Sequence, residues 1–323
     1  MSPSLEYLER CSAETGHRVS PLEKVVRLGE IGADLARHPF LGEVLVLKGG
    51  TPFNLCFGQP ERLSVDLDYN YVGHVERERM LEDRQRVEES VAVVARRRGY
   101  AIQKSADAFA GRKLYLRYRS VLGQPERIEV DLNYLFRVLI AGIEMRTLWQ
   151  PGELDRPQVR VVGLAELVAG KMLALLDRGA VRDAWDVAHL PEPAIEMLGS
   201  PLFRARFIAL SATLGRPLPS YTRGRLRGLI TDRDVAEQLI PMLATAEVVG
   251  AEDLVGRAWA IVEPFLALEP REEAYLAAIL DGELQPELLF PSDAEEAARF
   301  AGHPAILWKV TNVRSMRRRR DTG

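Results

Sequence analysis

The chain has 323 residues, 47% hydrophobic and 28% charged, with a formal net charge of −3. That length exceeds what one ordinary core needs, so two domains are expected, and the composition is that of a globular protein. Two cysteines and five scattered histidines argue against a disulfide framework, a zinc cluster or a histidine-based triad. No apolar run approaches the roughly 18–20 residues of a membrane span. Glu6, Glu9 and Glu14 occupy an N-terminus without an apolar h-region, which reads as no secretory signal, and a cytoplasmic location is expected. The near-neutral total leaves nucleic-acid binding open. Of 43 basic residues only six are lysine, so Lys48 and Lys171 stand out in an arginine-rich chain.

In chain order, Ser20-Pro21-Leu22-Glu23 reads as an N-cap, a proline at the first helical position and a capping-box glutamate, opening a helix to about His38. Residues 43–47 form a short apolar strand that ends in the turn Lys48-Gly49-Gly50. A helix over Thr51–Phe57 follows, closed by Gly58-Gln59-Pro60. Residues 63–71 alternate: Leu63, Val65, Leu67, Tyr69 and Tyr71 on one face, Ser64, Asp66, Asp68 and Asn70 on the other. Glu76–Arg98 is a charged amphipathic helix, and Lys113–Arg119 and Arg127–Tyr134 are two more strands. The second of these puts Glu129, Asp131 and Asn133 on one side. Gln158–Val162 makes one further strand. Beyond Gly163 the pattern is helical, first over Leu164–Arg178 and then Arg182–Leu190. The basic tail from Arg314 to Arg320 is expected to be poorly ordered. The fold class is therefore α/β (α+β), a core with a mixed sheet over residues 1–160 followed by a mostly helical domain over 161–323.

Chemistry concentrates around Asp66 and Asp68. On one strand face their Cα atoms lie about 6.5–7 Å apart. Two converging carboxylates repel, and a hard divalent cation, Mg²⁺ or Mn²⁺, resolves that repulsion with oxygen ligands. An isolated Asp-x-Asp is more often a solvated strand face. Three neighbours favour the metal. Asp131 repeats the pattern on another strand. Gly49 and Gly50 allow close backbone approach to a phosphate, with Thr51 adding a hydroxyl at a helix start. Lys171 sits at the edge of an apolar helical stripe, placed either to snorkel or to reach a triphosphate. Asp183 and Asp186, three apart, share a face of the next helix. Carboxylates, a glycine turn and lysines are the parts that nucleotidyl transfer uses.

The residues Leu47-Lys48-Gly49-Gly50-Thr51 and Arg62-Leu63-Ser64-Val65-Asp66-Leu67-Asp68 resemble the first motif of the AbiEii/MenT-like toxin nucleotidyltransferases, within the polymerase-β-type superfamily. Glu129-Val130-Asp131, Glu166-Leu167-Val168-Ala169-Gly170-Lys171 and Arg182-Asp183-Ala184-Trp185-Asp186 follow in the family's order. The resemblance spans about residues 40–190. It implies a nucleotidyltransferase core with an NTP as co-substrate. Asp66, Asp68 and Asp131 would hold metal. Lys48, Gly49, Gly50, Thr51, Lys171 and Asp183 would hold the nucleotide, and Lys171 and Asp186 would join the three aspartates in catalysis. It further implies a toxin with a cognate antitoxin, adding nucleotides to an RNA acceptor, the tRNA 3′ end, and blocking translation. An RNA acceptor calls for basic surface, for which Arg204, Arg206, Arg216, Arg223, Arg225, Arg227 and the tail are the candidates. A protein or small-molecule hydroxyl as acceptor, and a non-enzymatic binding module, are the competing readings.

Overall fold

A seven-stranded mixed sheet organises the first part of the chain in the computed structural model, which describes residues 3–244 and 249–321. Two units emerge. The first comprises Met1–Gly163 and Ala236–Val248, the second Leu164–Val235 and Val249–Gly323.

The first unit opens with α1 (Leu5–Thr15), α2 (Val19–Arg37) and the single turn α3 (Leu41–Val44). Then come β1 (Leu45–Lys48), α4 (Gly50–Leu55), β2 (Asp66–Tyr71) and α5 (Arg77–Arg97). Strands β3 (Ala101–Lys104), β4 (Gly111–Arg119), β5 (Pro125–Asn133), β6 (Ile143–Thr147) and β7 (Gln158–Val162) complete it. The sheet order is β3-β4-β5-β2-β1-β7-β6. Pairing is parallel between β2 and β5 and between β1 and β7, and antiparallel elsewhere.

Period-two alternation sorts the two sheet faces. Leu47, Leu67, Tyr69, Leu114, Leu116, Ile128, Val130, Leu132 and Val161 are buried together with Leu28 and Ile31 of α2 and Val87 and Val91 of α5. The opposite face carries Asp66, Asp68, Glu129 and Asp131. One side of the sheet thus pays for the exposure of charge on the other.

Several local expectations change. Ser20 is not the N-cap of α2; Arg18 is, and no side chain caps it. Glu23 is drawn instead into the interior. It accepts from Arg27 Nε at 2.8 Å and from the Val121 N–H at 3.1–3.2 Å. That tertiary demand overrides a local capping box. Strands β3 and β6 lack an apolar alternation, because each lies at a sheet edge with largely solvated side chains. Residues 63–65, expected as the start of a strand over 63–71, precede β2. There Leu63 donates to Met242 O at 2.8 Å and Ala244 to Glu61 O at 2.9 Å. These bonds tie residues 242–244 to the first unit, although sequence adjacency groups them with the helices.

Within the second unit the described residues form helices and no strand. They include α6 (Leu164–Arg178), α7 (Val181–Ala188), α8 (Glu192–Leu198), α9 (Pro201–Ser211) and α10 (Arg223–Leu229). Further helices cover Ala251–Val262, Pro270–Asp281, Ala294–Ala301 and Pro304–Asp321. The basic tail therefore continues a helix rather than being poorly ordered. Arg314 Nε donates to Gly282 O at 2.6 Å and Arg317 pairs with Asp281. No described helix is long and apolar enough to cross a membrane.

Because Glu23 is fully buried and joins α2 to the β4–β5 connection, Glu23→Ala strands a guanidinium and a backbone N–H. We expect a loss of about 3–5 kcal/mol, the usual cost of breaking a buried ion pair, read from urea unfolding.

Candidate active site

Strand register assembles the site in rows. Antiparallel β1–β2 pairing sets Lys48 against Asp68, parallel β2–β5 pairing sets Asp68 against Asp131, and antiparallel β5–β4 pairing sets Asp131 against Lys113. Directly paired residues share a face. The row across four strands is therefore Lys48–Asp68–Asp131–Lys113, with lysines flanking two carboxylates. The next row is Asp66–Glu129–Tyr115 and the row on the other side is Val46–Asn70–Asn133–Gly111. The sheet thus brings Asp66, Asp68 and Asp131 onto one face of two adjacent strands.

Lys113 is the member that sequence reasoning passed over. Its Nζ bonds Glu129 and lies 3.2 Å from Asp131 Oδ2. Burial alone would lower its pKa, but the two carboxylates outweigh burial and hold it raised, so it remains an ammonium. The rarity of lysine that drew attention to Lys48 and Lys171 applies equally to Lys113. The turn at Ser120–Gln124 would have supplied the register that sets it opposite Asp131.

Gly49 and Gly50 follow β1 directly. Gly49 has φ +76° and ψ −149°, a conformation open essentially to glycine alone. A Cβ there would overlap the Asp68 Oδ2. The glycine thus serves two needs, the turn and the close approach of backbone to the Asp68 carboxylate. Thr51 is fully buried. Its hydroxyl donates to the Asp66 carbonyl and lies 3.1 Å from Ser64 Oγ, which fastens the turn to the start of β2. Lys48 extends towards Phe136, its Nζ 5.9 Å from the ring centroid.

The donors that could hold a divalent cation are carboxylate oxygens, the hard ligands that Mg²⁺ and Mn²⁺ take. Among the described residues no three acidic, histidine or cysteine side chains gather closely enough to cage an ion. Asp131 is turned to Lys113. Asp66 and Asp68 still fit Mg²⁺, which is commonly held by one or two carboxylates and completed by substrate phosphates and water.

The other expected members lie together in the second unit. Lys171 Nζ is 2.6 Å from Asp186 Oδ2 and 3.3 Å from Asp183 Oδ1. Arg178 grips Asp183 with two bonds, at 2.6 and 3.0 Å. Lys171, Asp183 and Asp186 are all buried, so α6 and α7 meet over a buried ion-pair group. Burial pushes the Asp183 carboxyl up, yet the Arg178 hydrogen bonds and the Lys171 charge prevail and hold it below the usual carboxylate range. Most arginines expected on an RNA-binding surface have partners within this unit. Arg204 and Arg206 hold Glu272 and Glu296 by paired bonds, Arg223 and Arg227 share Glu252, and Arg225 donates to Leu176 O and Asp177 O.

Three outcomes are expected. Gly49→Ala forces strained backbone, worth about 1–3 kcal/mol, and displaces Asp68; nucleotide transfer falls sharply while far-UV circular dichroism is retained. Lys171→Met removes the buried cation that lies against both Asp183 and Asp186 and costs about 3–5 kcal/mol in urea unfolding. Since the folded pKa of Asp183 is depressed, its contribution is complete above the unfolded value and disappears as pH falls through the folded one. The stability gap between wild type and Asp183→Asn should therefore narrow on acidification below the ordinary carboxylate range, as read from unfolding curves at successive pH values.

The sequence profile of the nucleotidyl transferase AbiEii toxin family, of type IV toxin–antitoxin systems, matches residues 33–259. A search of curated proteins returned no match. Among solved structures, the chain resembles MenT4, a nucleotidyltransferase toxin from Mycobacterium tuberculosis H37Rv, with a TM-score of 0.58 and 18% identity. That match covers 93% of this chain and 98% of the other, and the likeness is one of fold. On a profile match spanning more than half its length, the chain belongs to the AbiEii family of nucleotidyltransferase toxins.

Proposed function

We propose that this nucleotidyltransferase moves a nucleoside monophosphate from an NTP to the 3′ end of an RNA, of the tRNA class, and so blocks translation until a cognate antitoxin restrains it. Asp66 and Asp68 are the metal ligands in this reading, with Asp131 completing the carboxylate set. The observation that carries it is the four-strand row Lys48–Asp68–Asp131–Lys113 beside a glycine turn that tolerates no Cβ. A bound Mg²⁺ or Mn²⁺ would supply phosphate bridging and a lowered pKa for the attacking hydroxyl.

The chain's own groups do the rest. Gly49 and Gly50 offer backbone to the triphosphate at the start of α4, and Lys48 offsets its charge. Thr51, committed to the Asp66 carbonyl, keeps that turn in register with the aspartates rather than reaching the phosphates itself. Lys113 holds Asp131 through Oδ2, which leaves Oδ1 to receive the proton of the attacking hydroxyl. Lys171, Asp183 and Asp186 form the buried ion-pair group on which the order of α6 and α7 depends. The reaction belongs in the cytoplasm, a setting that suits two free cysteines.

Incubation of the purified protein with labelled NTPs, total tRNA and Mg²⁺ or Mn²⁺ tests the reading. Label should enter RNA. Loss of several kcal/mol of charge stabilisation in Asp68→Asn should slow transfer about 10³-fold. Label on protein alone, or transfer unaffected by Asp68→Asn, would count against it.

A further inference from the structure

The β4–β5 hairpin outruns the sheet. β2 begins at Asp66, opposite Glu129, so residues 125–128 of β5 have no partner in β2 and continue beside β4 as an arm, which β3 flanks as far as Arg117 and which is two-stranded only beyond that row. The arm projects from the end of the sheet that holds the Gly49–Gly50 turn, since β1 runs antiparallel to β2 and β2 parallel to β5. Its inner face is fixed. Ile128 and Leu116 are fully buried, Glu126 pairs with Lys24 of α2 at 2.8 Å, Tyr118 lies under the Arg27 guanidinium at 4.1 Å, and Val121 is bonded to Glu23.

The outer face continues the face of Asp66 and Asp68, and its charge reverses. Beyond the row of Asp131 and Lys113, and that of Glu129 and Tyr115, come Arg127 opposite Arg117 and then Arg119 opposite Pro125. All three arginines are exposed, and among the described residues no carboxylate lies within ion-pair distance of them. Two like charges directly opposed across a ladder destabilise it, yet none of the nearby acids answers them. Glu129 is engaged by Lys113 and Glu126 by Lys24. Arg127 does have a planar partner, its guanidinium 4.7 Å over the Tyr115 ring. A rigid strip that combines unanswered guanidinium groups with an aromatic platform has the chemistry that holds a single-stranded polynucleotide, by phosphate pairing and base stacking.

We propose that the outer face of this arm is the track along which the single-stranded 3′ segment of the acceptor RNA leaves the aspartates, with phosphates on Arg117, Arg119 and Arg127 and a base on the Arg127–Tyr115 pair. The proposal rests on the RNA-acceptor reading above. Arg117 and Arg119 lie four and six residues from Lys113 along β4, about 13 and 20 Å at strand rise. That span suits a few nucleotides of an extended strand. Of the second-unit arginines, Arg204 and Arg206 are held by buried Glu272 and Glu296, Arg225 by backbone carbonyls, and Arg223 and Arg227 by the exposed Glu252, whereas the three arm arginines face no carboxylate among the described residues.

The test compares wild type with the R117Q/R119Q/R127Q and R117K/R119K/R127K variants, with full-length transcripts as acceptor and thermal melting as a control for folding. For the glutamine variant KM for RNA should rise about tenfold, with KM for NTP within about twofold of wild type. The slope of log affinity against log salt should shrink by about 2, three single-strand phosphate contacts at ~0.7 each. The lysine variant should keep the salt slope and lose part of the affinity, because charge survives and stacking does not. If wild type labels RNA and the glutamine variant shows the same KM for RNA and the same slope, the arm is not the track. If wild type labels no RNA, the acceptor reading itself falls, and this inference with it. Should the glutamine variant fail to fold, the lysine variant decides: unchanged RNA affinity overturns the stacking platform.

Discussion

Parallel pairing of β2 with β5 sets Asp66 against Glu129 and Asp68 against Asp131, so two pairs of like charges meet across one ladder. Such pairs are unfavourable unless a cation intervenes. Most of what surrounds them follows from that constraint. Lys113 answers Glu129 and Asp131 from β4, and Lys48 lies on the far side of Asp68. Asp66 and Asp68 share that face, and in the proposed reading a hard divalent cation with phosphate ligands would complete them. The glycine at position 49 fits the same scheme, because the turn passes where a side chain would displace Asp68.

The second unit meets the mirror-image problem with the same means. Asp183 and Asp186 are buried a helical turn apart, and Lys171 lies between them while Arg178 closes on Asp183 from the surface. A buried ion-pair group of this kind adds little net stability over an apolar one, but removing one partner is costly. Lys171 is thus better described as the cation of a neutralised group than as a lysine snorkelling from an apolar stripe.

Much of this was legible from residue order alone. The alternation in β2, β4 and β5 identified the strands and their polar face, since a half-buried strand must repeat every two residues. The glycine turn before Asp66 and the helical change after Gly163 were legible for similar reasons. What escaped depended on partners distant in sequence. Lys113 meets Asp131 only through hairpin register, Glu23 leaves its capping position for Val121, and residues 242–244 return to pair with Glu61 and Leu63. β3 and β6 escaped because edge strands need no apolar face. Thr51 has the residue type of a phosphate ligand, yet its hydroxyl points inward to the Asp66 carbonyl, and nothing in its neighbours announces that choice.

The charge pattern of this sheet face also gives the fold a division of labour. Carboxylates occupy rows where β2 and β5 run side by side, and arginines begin beyond Asp66, where β2 starts. The central claim is that Asp66 and Asp68 together form a divalent-cation site completed by nucleotide phosphates. Mn²⁺ binding followed by electron paramagnetic resonance, with and without a non-hydrolysable NTP analogue, tests this most directly. The account predicts tight Mn²⁺ binding that needs the analogue and is lost in both Asp66→Asn and Asp68→Asn, with the fold intact. Equal binding by wild type and both variants would contradict it.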